Sequence, residues 1–229
     1  MSIFGSPAFQ KNSSATANGA TVLSAPAVNT VAGDLIVVQL FHNDITIPAP
    51  PTVTDTAGNT YFALTSQTSS FHRVQLFYCI GALPNASNVI AGNATFNIAN
   101  RSFGITVWDA TVSGAAAFDT QTGTFSNSTP TSITTPSFST ASSDDIVFVG
   151  VGLTTTGASN TTFTAGYTLD MTSYAAFNGG AAHRSFTSPQ SGITVTASFA
   201  SSFTASIVLA AFKPASGVTR ELLLLGVGQ

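Results

Sequence analysis

Asp34–Phe41 reads DLIVVQLF, and Asp144–Leu153 answers it with DDIVFVGVGL. Side chains of a strand alternate between its two faces. Leu35, Val37, Gln39 and Phe41 therefore share one face of the first stretch, and Ile36, Val38 and Leu40 share the other. Both faces are apolar. A strand of an ordinary antiparallel sandwich should alternate apolar with polar, because one of its faces meets water. This strand needs cover on both sides, from long loops or from another subunit. Ile36, Val38 and Leu40 are accordingly a candidate assembly face.

Outward from these two stretches the pattern is the same in both directions. Short β-branched and aromatic runs are separated by Gly, Asn, Asp, Ser and Pro, and helical periodicity is missing. Strands are expected near Thr21–Ala27, Asp34–Phe41, Thr52–Asp55, Thr60–Thr68, Arg73–Ile80, Asn93–Ile98 and Phe103–Thr111. After a polar connector, Ser113–Pro136, they resume near Ser137–Ser139, Asp145–Leu153, Tyr167–Thr172, Ala182–Thr187, Ile193–Phe199 and Thr204–Phe212. The halves echo one another at an offset of 111, which aligns Asp34 with Asp145 and His72 with His183. The fold expected is all-β. It is a two-sheet, jelly-roll-like antiparallel sandwich over residues 21–214, with pseudo-repeat halves 21–112 and 137–214. An N-terminal arm (1–20) precedes it and an apolar C-terminal tail (215–229) follows.

Composition narrows the function. Of 229 residues 44% are hydrophobic, enough for a packed core, while only 7% are charged against an ordinary quarter or so. The surface must then be built of Ser, Thr, Asn, Gln, Gly and Ala. Six Lys plus Arg, scattered between Lys11 and Arg220, make no phosphate-tracking patch, so nucleic acid is not an expected partner. No apolar run approaches the ~20 residues of a spanning helix, and membrane insertion is not expected. The opening stretch, residues 1–19, shows no signal-peptide pattern.

Candidate chemistry is sparse. DTAGNTY offers Asp55 and Asn59 to a calcium ion, but calcium wants six or more oxygens and several carboxylates. A hairpin turn, with Gly58 at positive φ and Asp55 holding local amides, fits better. Asp144 and Asp145 are adjacent, so on a strand they point to opposite faces and make no acid–base dyad; they are expected to keep the strand entrance solvated. His42, His72 and His183 stand in no ligand spacing, and His42 with Asp44 lacks a third ligand. Cys79, the only cysteine, reads as a buried strand residue. Trp108 is expected in the core, though an indole could also floor a sugar site. No cofactor, no metal and no catalytic residue is expected.

Taken together, AGDLIVV (Ala32–Val38), VTDTAGNTY (Val53–Tyr61), RVQLFYCIGA (Arg73–Ala82) and ASIVLAAFKPA (Ala205–Ala215) resemble a β-sandwich module of bacterial surface proteins and tailed-phage virion proteins. The resemblance implies an exposed structural or adhesive role and supplies no catalytic residues. The expectation is a non-enzymatic virion protein of a tailed phage, a capsid decoration, head-fibre or tail-associated subunit. It would be assembled in the host cytoplasm and displayed on the virion exterior. Its partners would be further copies of itself and other virion structural proteins. The alternative is a carbohydrate-binding or adhesive module at a bacterial surface, with a glycan as partner. In either case the chain's last segment, with Leu222, Leu223, Leu224 and Leu225 in a row, is the second candidate for an assembly contact.

Overall fold

The computed structural model describes residues 3–5, 8–16, 22–42, 50–69, 72–93, 101–154, 160–171 and 179–215, the side chains of 8–16 and 101–103 excepted. Among these residues there are strands and no helix. The first half contains β1 (Ala8–Thr16), β2 (Val22–Ser24), β3 (Val28–Thr30), β4 (Leu35–His42), β5 (Thr52–Asp55), β6 (Phe62–Ala63), β7 (Gln67–Thr68), β8 (Arg73–Ile80), β9 (Asn85–Asn88), β10 (Ile90–Asn93) and β11 (Arg101–Ala110). The second contains β12 (Ala116–Ser126), β13 (Ser132–Thr134), β14 (Ile146–Leu153), β15 (Thr162–Phe163), β16 (Thr168–Met171), β17 (Gly179–Ser185), β18 (Thr196–Ser198) and β19 (Ala205–Pro214).

All pairings are antiparallel. One large sheet runs β1-β11-β4-β8-β6, with β7 also on β8, and a small sheet runs β2-β10-β5. The second half gives β12-β19-β14-β17-β16 and β13-β18-β15, strand for strand the same order. A short pair, β3-β9, stands apart in the first half. In each half the first strand lies beside the last and the second beside the next to last. That is the winding of a jelly roll.

The cover that β4 and β14 require comes from within the chain. Leu35, Val37 and Phe41 of β4 pack with Trp108, Ile146, Phe148, Val208 and Phe212 in a core between the two large sheets. The opposite face, Ile36, Val38 and Leu40, packs with Ile105 and Val107 against Leu23, Val53 and Ile90 of the small sheet. Val147, Val149 and Val151 of β14 meet Ile133 and Ala197 in the same way. The layers are small, large, large, small. The all-β antiparallel sandwich expected is what forms, with four principal sheets in place of two. Each half closes its own sandwich, and the large sheets pack back to back. Ile36, Val38 and Leu40 are fully buried by their own half. They are core, and not an assembly face.

Two boundaries also differ from expectation. Ala8–Thr16, expected within an arm, pairs along its whole length with β11, and Ala116–Ser126, expected within a connector, pairs with β19. Both are edge strands, where one side of the backbone ladder is open and polar side chains such as those of Gln121 and Thr122 are tolerated. The alignment of His72 with His183 fails as well. Leu35 pairs with Ile80 and Ile146 with Ser185, so Tyr78, not His72, occupies the place of His183.

The GVG of β14 shows how closely the large sheets approach. A Cβ on Gly150 would come within 2.6 Å of the Gln39 side chain, and one on Gly152 would strike the Phe41 ring. Glycine is needed here for contact, as at any site where a neighbouring group lies against the backbone.

Candidate functional site

Among the described residues, polar groups that could carry chemistry gather first at the seam between the large sheets. Trp108, on β11, donates its indole N–H to Asp170 Oδ2 on β16 at 2.8 Å. His183 Nδ1, on β17, lies 3.0 and 2.8 Å from the two Asp170 oxygens. Phe148 packs between them, 5.2 Å from the Trp108 ring and 6.4 Å from His183. Beside this network the Thr106 hydroxyl reaches Met171 Sδ at 3.6 Å. The carboxylate fixes the imidazole and satisfies a buried indole, which otherwise loses a hydrogen bond on folding. A His–Asp pair can hold and move a proton, but a nucleophile or substrate must stand at the free imidazole nitrogen for catalysis. Phe148 packs beside the His183 ring. The network joins a residue of the first half, Trp108, to two of the second, Asp170 and His183. Trp108 is fully buried, so it floors no surface site.

Further along the seam, His72 is fully buried, with Nδ1 2.7 Å from Ser69 Oγ and its ring 5.4 Å from Phe41. Burial pulls its pKa down to about 4, the Gly152 backbone acting weakly in the other sense. Gln39 reaches across with Nε2 donating to the Val151 carbonyl at 3.4 Å. His42 is fully buried at the end of β4, and the Asp44 once paired with it lies outside the described residues.

The second place is the set of turns that lead into strands. Asp34 Oδ2 accepts the Val31 N–H at 2.6 Å, and Asp145 Oδ2 accepts the Ser142 N–H at 3.1 Å, each closing the turn before β4 or β14. The preceding residues, Gly33 (φ 96) and Asp144 (φ 67), are both left-handed. Asp145 is fully buried, so it does not keep the entrance solvated; burial, chiefly, lifts its pKa above the ordinary carboxylate range. Asp109, buried on β11, lies close enough to Asp34 to feel its charge. Its pKa is pushed up to about 7 by burial first and by the Asp34 charge second. Cys79 is buried in the same core, and burial pushes its thiol up to about 11.

Asp55 forms the turn expected of it. Oδ1 accepts the Asn59 N–H at 2.9 Å, and Oδ2 accepts Asn59 Nδ2 at 2.7 Å, Tyr61 OH at 2.8 Å and Asn88 Nδ2 at 2.9 Å. Burial works to raise this carboxyl, but these donors together hold it below the ordinary range. Gly58 takes the positive φ, at 80°. With four donors on its two oxygens, Asp55 is engaged as a hydrogen-bond hub.

The third place is an open groove of about 480 Å³ beside that turn, lined by Pro50, Pro51, Thr52, Asn59, Thr60, Tyr61 and Phe77 among others. Next to it Phe62 is 55% exposed and stacks on Tyr78 at 5.5 Å. Leu222, Leu223, Leu224 and Leu225 lie outside the described residues. Asp170, Asp109 and Asn88 carry no motif in the sequence; the one signal for Asp170 was that a buried Trp needs an acceptor. No family model, no curated protein and no solved structure matches this chain.

Proposed function

We propose that the chain is a non-enzymatic structural subunit of a tailed-phage virion, a decoration, head-fibre or tail-associated protein carried on the particle's exterior. The observation that carries this reading is the use made of the polar interior. Asp34, Asp55 and Asp145 close turns, while Trp108, Asp170 and His183 join the two sandwiches. Such a molecule is organised for rigidity, and its sparsely charged surface suits close contact with neighbours. With Ile36, Val38 and Leu40 taken by the core, the assembly contact falls to Leu222–Leu225. Strand addition at a neighbour's sheet edge, repeated around a ring or lattice, would give such a short apolar segment its hold.

Chain truncated after Gly217 should then melt as the full chain does, yet run as a monomer in light scattering and fail to bind particles. Truncated protein that still assembles would overturn this role for the leucines, and particles purified to homogeneity without the protein would overturn the virion assignment. The groove beside Tyr61 favours a second reading, a glycan-binding module, since an aromatic ring flanked by Thr60 and Asn59 offers stacking and hydrogen bonds. A glycan array probed with free protein separates the two: a saturable hit lost in Tyr61→Ala supports the second reading, and its absence supports the first.

A further inference from the structure

Three neighbouring strands of the second sandwich bring an amine and two carboxyls together at the rim of its core. Lys213, near the end of β19, places Nζ 3.1 Å from Oδ1 of Asp119, whose side chain is only 6% exposed. Asp119 sits where the register between β12 and β19 shifts, between Phe118 and Thr120, so it leaves the regular alternation. Its Oδ2 accepts the Ala141 N–H at 2.9 Å. On the other side of β19 the last register pair is Ile146 with Phe212, so one further step sets Asp145 across from Lys213. Asp145 feels the charges of both Lys213 and Asp119 and the nearby Thr140 hydroxyl, while its buried Oδ1 makes no hydrogen bond of ordinary geometry.

We infer that Lys213 and Asp119 are the site of an intramolecular isopeptide bond, with Asp145 as its proton relay. The amine is held in direct contact with the carboxyl group whose carbon it would attack, which removes the cost of bringing the two together. Within the pair, the ammonium passes one proton to the Asp119 carboxylate. The Nζ lone pair then attacks Cγ and forms the C–N bond, while the charge developing on Oδ2 is held by the Ala141 N–H. Asp145, entering the step in the acid form that its burial favours, gives its proton to Oδ1. The Cγ–Oδ1 bond breaks and one water leaves. Asp145 recovers its proton from the nitrogen, which leaves a neutral amide and a regenerated acid. No oxidant or other reagent is consumed.

The consequence is mechanical. The link would join the first strand of the second sandwich to its last, where the Ala215 N–H already bonds the Ala115 carbonyl at 2.9 Å. A chain with a single cysteine has no internal disulfide to do this. The inference goes beyond the virion reading and stands or falls without it.

Intact mass spectrometry of the full-length, denatured chain tests it. The expected mass is lower than the sequence mass by one water, and fragmentation should yield a branched peptide joining Asp119 to Lys213. Lys213→Arg and Asp145→Ala proteins, checked as folded by circular dichroism, should keep their full sequence mass. Folded wild-type chain at full sequence mass would overturn the inference, as would a lost water that fragmentation places elsewhere. A complete link in Asp145→Ala would overturn the relay.

Discussion

Replacing Asp109 by asparagine should make the protein more stable at alkaline pH while changing little in mild acid. Asp109 is buried and faces the Asp34 charge, and both conditions, burial first, favour its protonated form. In the unfolded chain Asp109 ionises near its ordinary 3.8, whereas in the fold its pKa lies at about 7. The folded state therefore binds the extra proton between these values, and stability falls as pH rises from about 4 to about 7. That contribution is fully present below pH 4. At 1.36 kcal/mol per pKa unit, its loss amounts to at most about 4 kcal/mol above pH 7. Burial and the Asp55 charge hold the Tyr61 phenol neutral, burial does the same for Cys79, and Asp55 stays ionised. Asparagine keeps the shape and a donor toward Asp34 but cannot ionise. Urea unfolding of wild type and Asp109→Asn at pH 5, 6, 7 and 8.5 gives a difference free energy that cancels every other titration. It should move toward the variant by several kcal/mol between the extremes. A pH-independent difference, or one moving toward wild type, would refute the raised Asp109 pKa.

The seam titrates in the opposite sense: His72 is held neutral, its pKa depressed from 6.5 to about 4, so its contribution is present above pH 6.5 and lost as pH falls toward 4. Acid melts of His72→Gln should accordingly be flatter than wild type between pH 6.5 and 4, and equal slopes would remove His72 as the acid-sensitive group. Asp144→Gly should stabilise the fold by about 0.5–1 kcal/mol, because a left-handed residue at φ 67 loses its Cβ strain, in a turn whose counterpart already has Gly33. A lower melting temperature for that variant would mean the Asp144 side chain holds something the turn needs. Gly152→Val should cost about 1–3 kcal/mol or more through its clash with the Phe41 ring, read as a shift in the urea midpoint.

The parts of this fold that were legible in the sequence are those a strand reports about itself. Period and composition mark β4 and β14 as strands, and apolar residues on both faces mark them as middle layers. The Asp55 turn was equally legible, since Asp55, Gly58, Asn59 and Tyr61 lie within seven consecutive residues. What covers the faces of β4 was not legible, because a cover is a relation between distant segments. Loops, a neighbour and a sister sheet leave the same mark on the covered strand. The one discriminating trace was the GVG of β14. Its glycines fall on the face that Gln39 and Phe41 approach, and only a close partner sheet requires that spacing. The strands at the sheet edges were hidden for a related reason. β1 and β12 are rich in Ser, Thr, Asn and Gln, and without apolar alternation they read as an arm and a connector. The Trp108–Asp170 contact spans 62 residues and both halves. Trp108 announced its need for an acceptor, but only the back-to-back packing of the two large sheets supplies Asp170 to meet it. Burying Trp108 at the seam thus makes the polar network a condition of the packing. Asp170→Ala should loosen the contact between sandwiches while leaving each one's own core, around Ile36 or Val149, intact.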